Sequence, residues 1–99
     1  MKKHSITFAR SATGDLEEIL AWYSEQGVPD VGKRLAAEVI ASVERLADFP
    51  ESGRMVPEFE VAWLREIIQP PFRIVYRLDD RRVRVVRVWR SERLLKMPG

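Results

Sequence analysis

Three runs rich in β-formers crowd one part of the chain: Ala62 to Gln69, Phe72 to Leu78, and Val83 to Trp89, joined at Pro70-Pro71 and at Asp79-Asp80. Val, Ile, Phe, Tyr and Trp suit a half-buried pleated surface, whereas Pro and Asp suit turns. Connections this short cannot carry a crossover, so neighbouring runs must pair antiparallel. The chain is therefore committed to a three-stranded meander, and such a sheet needs something to cover at least one face.

The preceding residues supply the cover. Ala12, Leu16, Ile19, Leu20 and Tyr23 fall at helical spacing, with Ser11 placed to cap the segment and Asp15, Glu17 and Glu18 near its positive start. Gly27 and Pro29 are expected to stop it. Asp30 is the expected cap of a second helix, in which Leu35, Val39, Val43 and Leu46 form a stripe that excludes Glu38, Glu44 and Arg45; Phe49 and Pro50 close it. A few turn residues between two helices make an αα-hairpin. His4 to Phe8 reads as a short first strand and residues 50–60, with Pro50, Gly53 and Pro57, as a loop.

The order β, α, α, β, β, β predicts an α+β fold and a single domain over residues 1–99. An N-terminal strand returns to pair with the antiparallel meander, and the helical hairpin covers one face of the resulting sheet. The other face is expected to be open. Facing along the last strand stays undecided, because Arg82 and Arg84 share parity with Val86 and Val88.

The chain has 99 residues, 45% of them hydrophobic, which supports one modest core. It has no cysteine, which removes disulfides, thiolate metal sites and a cysteine nucleophile and fits a reducing cytoplasm. Lys2 and Lys3 precede no apolar stretch of signal-peptide length, and no run reaches membrane-span length, so no membrane partner is expected. Charge is asymmetric. Residues 1–60 hold seven Lys/Arg against eleven Asp/Glu, whereas residues 61–99 hold ten against four. A basic segment of this kind attracts polyanions or acidic protein segments.

His4 is the one imidazole, with no carboxylates spaced around it as ligands, so neither a metal centre nor a Ser/His/Asp arrangement is indicated, and no cofactor is expected. Gly14, Gly27, Gly32 and Gly53 stand singly and make no phosphate loop. What remains is a set of arginines on predicted strands, Arg65, Arg73, Arg77, Arg84, Arg87, Arg90 and Arg93, beside Trp63, Phe72, Tyr76 and Trp89. Planar guanidiniums bind phosphate or carboxylate in a bidentate manner, and the aromatics offer stacking faces. Solvated charge on a sheet surface gives the same pattern.

The ordered set Asp15, Leu16, Ile19, Tyr23, then Phe49, Pro50, Gly53, Arg54, Pro57, Glu58, then Leu64, Arg65, Glu66, Phe72 to Arg77, and Val85, Val88, Trp89, Arg90, Arg93 resembles toxins of the RelE/ParE superfamily, and is more similar to the ParE-like branch. The resemblance implies a toxin of a type II toxin–antitoxin pair, neutralised by a cognate antitoxin and meeting operator DNA only through it. ParE-like members inhibit DNA gyrase. RelE-like members cut mRNA on the ribosome with basic strand residues and, in many, a C-terminal His or Tyr. A third alternative is a non-toxic regulatory partner of the antitoxin.

Arg73 matches the arginine with which the nucleases hold phosphate, and Arg65 lies where they often place another basic residue. The position that is frequently His is Arg90 here, and arginine, with a pKa above about 12, cannot serve as a general base. A nuclease reading thus draws on Arg65, Glu66, Arg73 and Arg90, with Glu66 as base or as the ion-pair partner of Arg65. A docking reading, for gyrase or the antitoxin, draws on Arg65, Arg73, Tyr76, Arg77, Trp89, Arg90 and Arg93. On that reading Arg73→Glu is expected to weaken the antitoxin complex.

Overall fold

The computed structural model describes residues 3–91. Strand β1 (Ser5–Phe8) leads into helices α1 (Arg10–Glu25) and α2 (Pro29–Glu44), the latter prolonged by a 3-10 turn at Arg45–Ala47. Strands β2 (Arg54–Met55), β3 (Leu64–Gln69), β4 (Phe72–Leu78) and β5 (Arg82–Arg90) follow. They form one mixed sheet in the order β1-β5-β4-β3-β2. The meander is antiparallel as expected, while β1 pairs parallel with β5 from Ser5↔Arg82 to Phe8↔Val85. Parallel neighbours need a long crossover. The helical hairpin is part of that connection and covers the sheet on the way.

Both helix starts differ from the expected caps. The residue capping α1 is Ala9, with no side-chain bond, and Ser11 instead donates its hydroxyl to the carbonyl of Val86 at 2.6 Å. Pro29 opens α2 rather than merely ending α1: it occupies the first turn, where its missing N–H costs nothing, and Asp30 lies inside that turn. Gly27 ends α1 with φ +80°, a conformation that glycine adopts without strain. Gly32 sets how closely the helices approach, since a Cβ there would lie 2.9 Å from the Cβ of Tyr23.

The core joins Ala12, Leu35, Val39, Val43 and Leu46 to Phe72, Ile74, Tyr76, Val83, Val85 and Val88, with Leu16, Ile19 and Tyr23 packed at its edge. Leu20, expected on the apolar stripe, is exposed. A β-bulge resolves the parity of β5. Tyr76 pairs with Val85 but Val75 pairs with Arg87, so Val86 is an extra, unpaired residue. One inserted residue flips the alternation. Val83 and Val85 before it, and Val88 after it, therefore all reach the helix-side core.

The opposite face is not simply open. Segment 56–63, between β2 and β3, lies against its β3–β4 part: Glu58 reaches Arg73, and Val56 and Val75 are fully buried although neither belongs to the helix-side core. The two-residue β2 within the predicted loop adds the last edge of the sheet, placing Arg54 opposite Glu66. Among the described residues, no helix is long and apolar enough to cross a membrane.

Candidate functional site

Five of the residues selected from the sequence, Arg65, Glu66, Arg73, Tyr76 and Arg77, lie on β3 and β4, and the register separates them. Cross-strand partners share a face. Glu66 pairs with Val75, and Arg73 with Ile68 and Trp89, on the face away from the helices; Arg65 pairs with Tyr76 on the other.

Glu66 and Arg73 form the centre of a buried charge network. Arg73 donates from Nε to Glu66 at 2.8 Å and from both terminal nitrogens to Glu58 at 2.9 and 3.0 Å. Arg54 reaches the other oxygen of Glu66 at 2.7 Å from Nε and 2.6 Å from Nη2. The Glu66 side chain is 0% exposed and that of Arg73 7%, so both charges are compensated in a dry site. Hydrogen bonds from Arg73 to Glu58 hold its guanidinium further above its ordinary pKa, against the opposing effect of burial and with further support from Glu66. Two expectations are corrected here. The ion-pair partners of Glu66 are Arg73 and Arg54, not Arg65, because residues adjacent on a strand point to opposite faces. Arg73 is not a solvent-facing clamp, since two carboxylates occupy it.

Tyr76 and Arg65 anchor the 50–54 segment. Tyr76 is fully buried, donates to the carbonyl of Pro50 at 2.7 Å and accepts from the amide of Gly53 at 3.0 Å; burial pushes its hydroxyl pKa up. Arg65 donates to the carbonyls of Ala62 and Gly53, both at 2.9 Å. Gly53 admits this contact because it has no side chain: a Cβ would lie 2.5 Å from the Tyr76 hydroxyl and 2.7 Å from the Glu66 carbonyl. Tyr76, expected on the docking surface, faces inward instead.

Past Val85, β5 has no further partner from β1, and α1 takes over its free edge. Ser11 bonds the Val86 carbonyl, and buried Asp15 accepts from the Val88 amide at 2.8 Å and from Arg87 at 2.8 and 2.9 Å. Asp15 is therefore a strand-edge ligand rather than a helix-dipole residue. The Arg87 guanidinium also stacks on Trp89, 4.3 Å from the ring centroid. Between α1 and the ends of β4 and β5 runs a groove of about 400 Å³ lined by Ile19, Trp22, Tyr23, Phe72, Val88, Trp89 and Arg90, with Asp15 and Glu18 on the helix side. Trp22 is half exposed in it, and Arg90 lies 5.9 Å from the Trp22 ring.

Arg77 is exposed, with its guanidinium 5.2 Å from the Trp63 ring; Arg93 lies outside the described residues. Trp22, Arg54, Glu58 and the edge role of Asp15 escaped selection. The sequence signal for the groove was the spacing Asp15, Glu18, Ile19, Trp22, Tyr23, which defines one helical stripe. Nothing local links Glu58 to Arg73, fifteen residues away.

A family model described as the ParE toxin of the type II toxin-antitoxin system, parDE, matches residues 6–95. The chain belongs to this ParE toxin family, within the RelE/ParE superfamily. The chain is also 34% identical over 73 residues to Toxin RelE2 of Caulobacter vibrioides, a match covering 73% of this chain and 78% of that protein. Its fold is similar to a chain of the chromosomal ParDE system of P. aeruginosa, with TM-score 0.76 and 23% identity over 91% of this chain and 98% of the other. It is also similar to a chain of the RelBE2 toxin-antitoxin complex of Mycobacterium tuberculosis, with TM-score 0.67 and 22% identity over 90% and 99%. Membership of the ParE toxin family makes the chain a toxin of a type II toxin–antitoxin system.

Proposed function

We propose that this toxin acts by binding rather than by cutting RNA, with DNA gyrase as its target and a cognate antitoxin as its neutralising partner. The observation that carries this reading is the double carboxylate occupancy of Arg73 by Glu58 and Glu66. Breaking a buried pair costs about 3–5 kcal/mol, so a phosphate taken up at Arg73 would be bound roughly two to four orders of magnitude more weakly than by an uncommitted guanidinium. Arg90, at the end of β5, supplies charge but no proton acceptor. The ParE family match supports the same direction.

The test is supercoiling of relaxed plasmid by purified gyrase. Inhibition or trapped cleaved DNA is expected near stoichiometric toxin, and unaffected supercoiling at large excess would remove gyrase as target. Similarity to Toxin RelE2 favours a second reading, ribosome-dependent mRNA cleavage. A toeprint of programmed ribosomes distinguishes it, because cut mRNA in the A site appears on that reading alone. Normal growth on inducing the folded chain without antitoxin would point to the non-toxic regulatory role.

The antitoxin seat we assign is the groove beside α1, where Trp22 and Trp89 offer an apolar floor, with Arg90 on the strand side and Glu18 on the helix side, for an amphipathic helix. Trp22→Ala should weaken the complex at least tenfold. Arg73→Glu is a poor test of the same seat, because it would place a third carboxylate in the buried network.

A further inference from the structure

Three arginines of the sheet have acid partners, Arg54 and Arg73 with Glu66 and Arg87 with Asp15, and Arg65 is held by backbone carbonyls. A second cluster, on the same face near the β4–β5 turn, differs. Arg77 and Arg84 are directly opposite in the register, Arg82 lies two residues from Arg84, and all three are exposed. Among the described residues, none of the three makes an ion pair. Like charges directly opposite across a ladder are destabilising, so this pairing works against the fold unless an anion compensates it.

Asp79 lines the same concavity and attracts Arg82 electrostatically, but its carboxylate is bonded to the turn backbone. Asp79 accepts from the amides of Arg81 and Arg82 at 3.1 and 2.8 Å, which closes the turn. Its exposed carboxyl is held below its ordinary pKa chiefly by the Arg81 amide, so it stays an ionised turn-former. The cluster opens on a concavity of about 420 Å³ lined by Trp63, Arg77, Leu78, Asp79, Arg82 and Arg84. Trp63 is 51% exposed, far more than a core tryptophan, while Arg77 sits over its ring at 5.2 Å. On β1, Thr7, the register partner of Arg84, has a buried hydroxyl oxygen with no hydrogen-bond partner.

We propose that Trp63, Arg77, Arg82 and Arg84 form a binding site for a single-stranded polynucleotide. Three guanidiniums supply planar donors for backbone phosphates, and the half-exposed indole offers a stacking face for one unpaired base. An acidic peptide would answer the charge and leave the indole unused. Duplex bases are paired and stacked, so they cannot reach it. Every base has a π-face, so the site reads chemistry rather than sequence. This surface lies away from the groove beside α1, and the inference does not rest on the gyrase reading.

The experiment is an anisotropy titration of fluorescein-labelled (dT)12 with the purified chain over a range of salt concentrations. Saturable, salt-dependent binding is expected. The double variant Arg77→Ala/Arg84→Ala should lose at least tenfold in affinity and flatten the log–log salt slope by about 1.4, the value for two lost phosphate contacts on a single strand. Trp63→Ala should lose about tenfold, and Trp63→Phe, which keeps a ring, should recover most of it. Lys33→Ala, an exposed charge on α2, should leave affinity unchanged and serves as the charge control. Far-UV circular dichroism checks that these surface variants stay folded. Equal losses in Lys33→Ala and the double variant would overturn the site, as would equal affinity for a duplex of the same length. Competition by poly-glutamate as effective as that by unlabelled (dT)12 at equal charge would reassign it to an acidic protein.

Discussion

Replacing Glu66 with Gln tests the buried network most directly. The substitution keeps the shape of the side chain and one acceptor oxygen but turns the other oxygen into a donor facing a guanidinium. In the native protein each carboxylate oxygen serves one arginine, Oε1 for Arg73 and Oε2 for Arg54. The Arg54 end contributes little to the loss, because its side chain is 62% exposed and a solvated pair is worth about 0–1 kcal/mol. The Arg73 end matters more. Removing one partner of a buried pair costs about 3–5 kcal/mol, and Arg73 retains Glu58, so the lower bound of about 3 kcal/mol applies. Domains of this size have about 5–15 kcal/mol in total and lose about 4–8 °C in Tm per kcal/mol, so a drop of roughly 12–24 °C is expected. Urea and thermal unfolding followed by tryptophan fluorescence measure it. The apolar set Glu58→Met/Glu66→Leu/Arg73→Met should cost far less than Glu66→Gln, since it removes Arg73 together with both of its carboxylates and leaves only the exposed Arg54. A Glu66→Gln chain within about 0.5 kcal/mol of the parent would refute the claim that this network is dry and mutually dependent.

Tyr76→Phe leaves the Gly53 amide without its acceptor and should cost about 1–3 kcal/mol in urea unfolding. The same residue sets an alkaline limit. Because burial raises its folded pKa, its contribution is complete below the ordinary tyrosine value of about 10 and is lost as pH rises through the folded one. The parent should therefore lose stability above about pH 10 more steeply than Tyr76→Phe. Asp15→Ala should cost about 2–3 kcal/mol by stranding the Val88 amide and freeing Arg87, and hydrogen exchange at Val88 should accelerate in step; unchanged exchange would mean that α1 does not hold that edge. Gly53→Ala should destabilise by about 1–3 kcal/mol, because its methyl would collide with the Tyr76 hydroxyl.

The sequence by itself determined the order of the elements apart from the short β2, the antiparallel meander and the helical hairpin, because these follow from local periodicity and from connections too short for any alternative. It also determined that positive charge would gather on the strands and that Arg90 could not move a proton. Tertiary structure decided which arginines are available to a partner. Arg73 and Arg77 lie on one strand, four residues apart and on the same face, and no local signal separates them. One is closed off by Glu58, delivered by a covering segment, and by Glu66 from the neighbouring strand; the other is exposed and sits over Trp63. The bulge at Val86 likewise depends on how β5 fits β4, so alternation alone could not assign its faces. Charge pairing is a long-range property of the folded chain: the sequence counts the arginines, and only the packing shows which of them already have a counter-ion.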